Sequence, residues 1–271
     1  MAQFGVKYTL NSYMLCAFSV YPCAGILRYM KGLNGLTRQV KSKQRVADHG
    51  EVYTAEREVK AMCDLVAEEC LRIDSRFLEP ACGDGNFLHE ILTRKLTVVQ
   101  SRYKKSVSDY ERNAILALTS IYGVDILQDN VEECRERLFG LWDKFYRDTC
   151  KKEVKEACRE AARYILSRNI LCGNALSLNC VDESGQDTDD PIIFSEWDFV
   201  VGDLIKRRDF RLDVLMNENP DKQHYDMQLS LFAEDVSGSE NWMIDPDTGK
   251  SIPKPIREYE PIHYRRIQEH E

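Results

Sequence analysis

The stretch FLEPACGDGNFL, residues 77 to 88, joins an apolar segment to a turn with two glycines and then to a second apolar segment. Phe77 and Leu78 are typical of the end of a buried strand, whereas Phe87, Leu88 and Ile91 recur at the spacing of a helix. Glycines let a backbone turn sharply and approach a ligand closely. The stretch therefore predicts a strand, a ligand-holding turn and a helix, and the alternative is an ordinary tight turn.

Strand and helix segments alternate along the chain around this stretch. Residues 56–71, EREVKAMCDLVAEECL, place their apolar side chains on one helical stripe. The segments SIYGVDI, ILCGNAL and WDFVVGD, which begin at residues 120, 170 and 197, have the short apolar cores of buried strands. We therefore predict an α/β fold with a mostly parallel sheet and helices on both faces.

Composition limits the class of protein. The chain has 271 residues and a formal net charge of -8, which argues against a broadly basic surface but leaves local nucleic-acid contacts open. Its ten cysteines include no C-x-x-C pair, so we expect reduced thiols in a cytoplasmic protein and no metal site. The apolar run at residues 13–27 is short for a membrane span and contains Pro22 and Gly25, so we expect no membrane partner.

Composition also divides the chain. We predict an N-terminal extension at residues 1–42, weakly ordered and with residues 1–29 dispensable for folding, and an α/β domain at residues 43–216. Asn, Asp, Pro, Gly and Ser become dense after that domain, so residues 217–271 are predicted to be a polar C-terminal tail with at most one helix around residues 227–234.

Two predicted strand ends carry groups suited to one ligand. Ligands of open α/β sheets bind outside the carboxyl ends of the strands, where the Gly-rich turn and Asp125 are expected. An acid after the second strand can accept hydrogen bonds from ribose hydroxyls, although Asp125 is alternatively a cap of the next helix. The turn lacks the dinucleotide and triphosphate motifs, and its Asp84 favours a cationic amino acid portion. S-adenosylmethionine, a nucleoside joined to an amino acid, fits this description.

Four motifs between about residues 43 and 205 carry a resemblance to a known family. FLEPACGDGNFL closely matches the Gly-rich cofactor loop, and YGVDI the ribose-binding acid, of N6-adenine DNA methyltransferases of restriction-modification systems. HGEVYTAEREV looks like their N-terminal cofactor motif, with Ala55 in place of a proline. ILCGNAL is similar to their third-strand motif, with Asn174 where Asp is more usual.

This resemblance implies a Rossmann-like, S-adenosylmethionine-dependent methyltransferase fold acting on DNA, and it allows a separate specificity or restriction subunit as a partner. Tyr53 and Thr54 are alternatively the start and cap of a helix, and Asn174 is alternatively a turn residue after Gly173. The cofactor-binding residues that the resemblance implies are Tyr53, Thr54, Glu79, Pro80, Ala81, Cys82, Gly83, Asp84, Gly85, Asp125, Ile126 and Asn174.

The catalytic motif of this family is Asn or Asp, two prolines and an aromatic residue. Here the strand WDFVVG is followed by Asp203, Leu204, Ile205 and Lys206, so only Asp203 matches. In the family the acid and a proline carbonyl accept hydrogen bonds from the adenine amine, and the aromatic ring stacks on the flipped base. The resemblance thus implies Asp203 as the catalytic residue, and the alternative is a solvent-facing acid in a turn. The sheet is expected to be truncated after its fourth strand.

Two functions follow from these observations. One is an adenine N6 DNA methyltransferase of a restriction-modification or defence system, with weak or partner-dependent activity. The other is a catalytically inactive cofactor-binding subunit or regulator of such a system. A set of basic residues is either a solvated surface or a phosphate-binding face; it comprises Arg102, Lys104, Lys105, Lys206, Arg207 and Arg208.

Overall fold

A parallel sheet forms the centre of the protein. The computed structural model describes residues 9–10, 13–15, 45, 54–216, 241–244 and 251–270. Strands β3, β4 and β5 lie side by side in parallel, which confirms the prediction of a mixed α/β fold with a parallel sheet. The strands of this sheet are β1 (Thr9–Leu10), β2 (Tyr13–Leu15), β3 (Arg76–Glu79), β4 (Ile121–Asp125) and β5 (Ile170–Cys172).

The N-terminal segment contributes to the edge of this sheet. Strand β2 pairs in parallel with the free side of β3, and β1 pairs antiparallel with β2. Residues 1–29 had been predicted to be weakly ordered and dispensable, because Pro22 and Gly25 interrupt their apolar run. The two strands precede those residues, so a protein starting at Met30 would lose the pairing with β3. The domain boundaries themselves remain a prediction.

Helices cover one face of the sheet. Side chains alternate between the two faces of a strand, and Phe77, Ile121 and Ile170 point into a core formed with these helices. The apolar stripe predicted for residues 56–71 is present, although a break divides it into two helices. The helices are α1 (Glu56–Asp64), α2 (Ala67–Leu71), α3 (Asn86–Tyr103), α4 (Val107–Thr119), α5 (Gln128–Cys150) and α6 (Glu156–Asn169).

The opposite face of the sheet carries a β-hairpin where helices had been predicted. The hairpin consists of β8 (Ile193–Val201) and β9 (Leu204–Arg211) and leads into the short helix α7 (Leu212–Met216). Leu78 and Tyr122 pack there against Phe194 and Leu212. In the part of the chain that the structure describes, the prediction of helices on both faces is therefore corrected to long helices on one face only.

Strand β8 runs against the direction of the central strands, so it is not the parallel fourth strand that the sequence suggested. Near its start, Ser195 O accepts a hydrogen bond from the Tyr122 hydroxyl at 3.0 Å. Further along, Trp197 Nε1 donates to Asn169 Oδ1 at 2.9 Å, and Asn169 Nδ2 donates to the carbonyl of Ile121, the first residue of β4, at 3.0 Å. Strand β8 thus runs toward the amino ends of the central strands.

Part of the predicted polar tail packs against the domain. Two short strands pair antiparallel with β9, and a 3-10 helix at Tyr264–Glu269 follows them. Tyr264 and Ile267 are fully buried, because these two apolar side chains share one face of that helix and enter the main core. The remaining strands are β6 (Asn179–Val181), β7 (Asp187–Pro191), β10 (Trp242–Ile244), β11 (Ser251–Pro253), β12 (Arg257–Glu258) and β13 (Ile262–His263).

Two further expectations concern helices. The helix predicted around residues 227–234 lies outside the described residues. No helix among the described residues is both long and apolar enough to span a bilayer.

Candidate functional site

The Gly-rich turn connects β3 to α3 and requires its glycines. Gly83 and Gly85 have φ angles of +52° and +89°, a region that side-chain-bearing residues rarely adopt. Gly85 N–H donates to the carbonyl of Cys82 at 2.8 Å and closes the turn. A Cβ atom on Gly85 would lie 2.6 Å from Cys134 Sγ of α5, so space as well as conformation restricts this position to glycine.

The turn and Asp125 meet at the carboxyl ends of two neighbouring strands. Gly83 N–H donates to Asp125 Oδ2 at 2.9 Å. Asp125 Oδ1 accepts from Leu127 N–H at 3.0 Å and from Asn130 Nδ2 at 3.1 Å. The carboxylate is therefore fixed in place and is 9% exposed. It binds the backbone that enters α5, in keeping with the helix-cap alternative, and it also anchors the Gly-rich turn, a contact that the sequence did not predict.

Glu79, the last residue of β3, is a buried acid beside this junction. The residue is 4% exposed, and burial raises the pKa of its carboxyl well above the ordinary value, against the effect of a backbone hydrogen bond from Ala81. Its Oε2 atom has no hydrogen-bond partner among the described residues. Most buried polar atoms in proteins have a hydrogen-bond partner, so this oxygen can accept from a group that the protein itself does not supply. The Glu79 carboxyl is thus available to a cationic or donor group of a ligand.

Asp84 has a partner that sequence reasoning missed. Arg137 of α5 forms an ion pair with Asp84, with 2.6 Å between Nη1 and Oδ2. The same nitrogen donates to the Asp84 carbonyl at 2.8 Å, and Nη2 donates to Asn86 Oδ1 at 3.0 Å. The charge of Asp84 is therefore balanced by the protein, and the argument for a cationic ligand rests on Glu79 instead.

The other residues predicted in the turn lie around the same junction. Pro80 is half-buried and Ala81 is exposed. Cys82 is buried, its N–H donates to Val124 O at 2.9 Å, and a thiol contact with Cys134 together with burial raises its pKa well above the ordinary value. Ile126 is half-buried beyond the end of β4.

The N-terminal motif is only partly described. Tyr53 lies outside the described residues. Thr54 is half-buried, and α1 begins after Ala55 with no side-chain hydrogen bond to its first turn. The alternative in which Thr54 caps the helix is therefore not what the structure shows.

Asn174 is engaged in a turn. Its Nδ2 donates to Asp187 Oδ1 at 2.9 Å, and its Oδ1 accepts from Leu176 N–H at 3.0 Å. The preceding Gly173 donates its N–H to Asp125 O at 2.9 Å, which brings the backbone near the site. These contacts favour the turn-residue alternative for the Asn174 side chain.

Asp203 is not brought to the Gly-rich turn. It occupies the two-residue connection between β8 and β9, where its carbonyl accepts from Tyr264 N–H at 3.0 Å and its Oδ2 lies 3.9 Å from His263 Nε2. It lies six positions after Trp197, which is already level with the start of β4. Since a strand advances about 3.3 Å per residue, Asp203 lies beyond the amino ends of the sheet, whereas the turn lies at the carboxyl ends.

The basic residues of β9 form ion pairs with acidic side chains. Arg207 is buried and pairs with Asp209 at 2.7 Å, whereas Arg208 pairs with Glu196 at 2.7 Å. Lys206 pairs with Glu258 at 2.8 Å. The three residues therefore do not form the phosphate-binding face considered above. Arg102, Lys104 and Lys105 are exposed around the end of α3.

Comparison with known proteins gives one distant similarity. The chain is 24% identical over 166 residues to DNA methyltransferase A of Bacillus subtilis (strain 168). The aligned region covers 60% of this chain and 17% of that protein, so the chain spans a small part of the relative. No protein-family model matches the chain, and no solved structure matches it.

Proposed function

We propose that the chain binds S-adenosylmethionine between the Gly-rich turn and Asp125, within a Rossmann-like methyltransferase fold. The observation that carries the proposal is the hydrogen bond from Gly83 N–H to Asp125 Oδ2, which joins the turn to the acid of the next parallel strand. Cofactors of open α/β sheets bind at this position. The distant similarity to a DNA methyltransferase supports the same cofactor.

The residues around the junction fit the two ends of the cofactor. Asp125 would bind the ribose hydroxyls, as the acid after the second strand does in nucleotide-binding sheets. The buried carboxyl of Glu79, with its unpartnered Oε2, would take the α-ammonium group, since burial leaves this oxygen short of a donor. When bound, the cofactor supplies a methyl group on a sulfonium centre to an attacking amine.

The proposed acceptor is adenine N6 in DNA, in a restriction-modification or defence system. The exocyclic amine needs hydrogen-bond acceptors beside the methyl group, and a flipped base needs a stacking surface. Asp203 lies toward the other end of the sheet from the turn. The hairpin rings of Phe194, Trp197 and Phe210 are buried in the protein core and offer no stacking surface. We therefore propose that this chain supplies the cofactor site, and that a partner or other residues supply the base site.

The isolated protein is expected to transfer methyl groups to DNA slowly or not at all. Loss of base stacking alone costs about 1–3 kcal/mol, which is about a ten- to hundredfold loss of base occupancy. The assay measures transfer of labelled methyl groups from S-adenosylmethionine to adenine-rich single- and double-stranded DNA, by the purified protein alone and with cell extract.

Asp203→Ala is the control variant for this assay. The proposal expects it to match the unmodified protein in both conditions, because Asp203 lies in the hairpin turn. Robust turnover by the purified protein that is lost in Asp203→Ala would contradict the proposal. That result would establish Asp203 as the group that orients the amine.

A further inference from the structure

One face of α5 contacts both Asp125 and the Gly-rich turn. Asn130, Cys134 and Arg137 are spaced four and then three residues apart, which places them on one side of a helix. Asn130 binds the Asp125 carboxylate, and Cys134 fills the space beside Gly85. Arg137 reaches the tip of the turn at Asp84. The helix thus supports the acid and the turn together.

Arg137 restrains the turn at the point where its backbone is least restricted. Asp84 stands between two glycines with positive φ, and glycine allows more backbone conformations than any other residue. The guanidinium contacts the Asp84 carboxylate, the Asp84 carbonyl and the Asn86 side chain at 2.6, 2.8 and 3.0 Å. A planar guanidinium that makes several charge-assisted hydrogen bonds fixes the orientation of its partners. These contacts bridge the turn and the first residue of α3.

The same pair sets the charge at the site. Without Arg137, the Asp84 carboxylate would add an unbalanced negative charge to a turn that already follows the acid Glu79. The side chains are only 33% exposed for Arg137 and 17% for Asp84, so solvent screens their interaction incompletely.

We propose that Arg137 is a positioning residue of the cofactor site, which holds Asp84 and Asn86 so that the backbone from Gly83 to Gly85 keeps its ligand-receiving conformation. The identity of the ligand rests on the function proposed above, whereas the restraint on the turn does not. Arg137 acts through Asp84 and does not itself contact the cofactor.

The test compares Arg137→Gln with Arg159→Gln. Arg159 is a matched control, because it pairs with Asp143 of α5 at 2.8 Å and has a partly buried side chain, but its described contacts lie away from the turn. Hydrogen–deuterium exchange of the free proteins is measured in the peptide from residue 77 to 94. We expect the Gly83 and Gly85 amides to exchange about tenfold faster in Arg137→Gln, from the loss of one charged hydrogen-bonding partner. Arg159→Gln should match the unmodified protein.

Binding of S-adenosylhomocysteine gives the second readout. We expect affinity to fall about tenfold or more in Arg137→Gln and to stay unchanged in Arg159→Gln. In an Asp84→Asn background, Arg137→Gln should cost much less, because residues that act as a pair are not additive. An equal loss in both backgrounds would mean direct contact with the ligand and would overturn the positioning role.

Unchanged exchange of the turn in Arg137→Gln would also overturn the proposal. If Arg137→Gln does not fold, Arg137→Lys serves instead, since it keeps the charge but not the forked contacts with Asp84 and Asn86, and it should give an intermediate increase in exchange. If the unmodified protein fails to bind S-adenosylhomocysteine, the proposed function fails, and the exchange comparison still decides whether Arg137 restrains the turn.

Discussion

Replacement of Gly85 by alanine is expected to lower the free energy of unfolding by about 2–5 kcal/mol, the combined cost of a strained φ angle and of overpacking. The φ angle of +89° disfavours a side chain, and a Cβ atom would lie 2.6 Å from Cys134 Sγ. Relief of this contact would move either the turn or α5, and both hold the proposed cofactor site. Binding of S-adenosylhomocysteine should therefore be lost as well.

Gly140→Ala is the matched control. Gly140 lies within the same helix as Cys134, and a Cβ atom there would meet nothing within 4 Å. Alanine in a helix interior should stabilise the protein by about 0.5–1 kcal/mol. Urea unfolding at 25 °C measures both variants. Equal stability of Gly85→Ala and the unmodified protein would show that the turn does not pack on α5 as described.

Glu111→Ala should have the second large effect, a loss of about 3 kcal/mol of stability from breaking a buried ion pair. Glu111 is fully buried in α4 and accepts hydrogen bonds from the hydroxyls of Tyr146 and Tyr264 at 2.5 and 2.8 Å and from Arg265 Nε at 2.9 Å. Two of these donors belong to the C-terminal 3-10 helix. Removal of the Glu111 carboxylate should therefore also increase proteolysis of residues 257–270.

Glu269→Ala is the control variant, because it removes an acid from the C-terminal 3-10 helix itself without touching the buried contacts of Glu111. Glu269 pairs with Arg266 at the protein surface, at 2.5 Å. Such pairs contribute little in water, so this variant should unfold like the unmodified protein. If Glu111→Ala also unfolded at the same urea concentration, the packing of the C-terminal segment onto α4 would be wrong.

The Gly-rich turn and Asp125 could be predicted from sequence because their signals are local. The paired glycines, the apolar flanks and the acid after an apolar strand all lie within a few residues of one another. Parallel strands bring their carboxyl ends to one edge of a sheet, so the meeting of Gly83 and Asp125 follows from the topology.

The hairpin was missed although the sequence contains a signal for it. Gly202 and Asp203 stand between two segments rich in apolar and aromatic residues, and a Gly-Asp pair between such segments is typical of a two-residue hairpin turn. Gly202 has a φ angle of +55°, as such a turn requires. The resemblance of WDFVVG to a family strand led instead to a parallel strand with Asp203 at the active edge.

Arg137 and the C-terminal packing could not be predicted in this way. The Arg137 guanidinium binds a turn 53 residues earlier in the chain, and Tyr264 binds an acid 153 residues earlier. Contacts between residues so far apart in the sequence depend on how α4 and α5 pack on the sheet. The polar composition of residues 217–271 also concealed the two apolar side chains, Tyr264 and Ile267, that carry the packing.

Calorimetric titration of S-adenosylhomocysteine into the unmodified protein and Asp125→Ala decides whether the Gly-rich turn and Asp125 bind the cofactor. We expect saturable binding at one site by the unmodified protein. Affinity should be about ten- to a hundredfold weaker in Asp125→Ala, the effect of losing charged hydrogen bonds. Asp143→Ala removes an acid of α5 that pairs with Arg147 and Arg159, and it should bind as the unmodified protein does. Absence of saturable binding by the unmodified protein, or equal affinity in Asp125→Ala, would contradict the account.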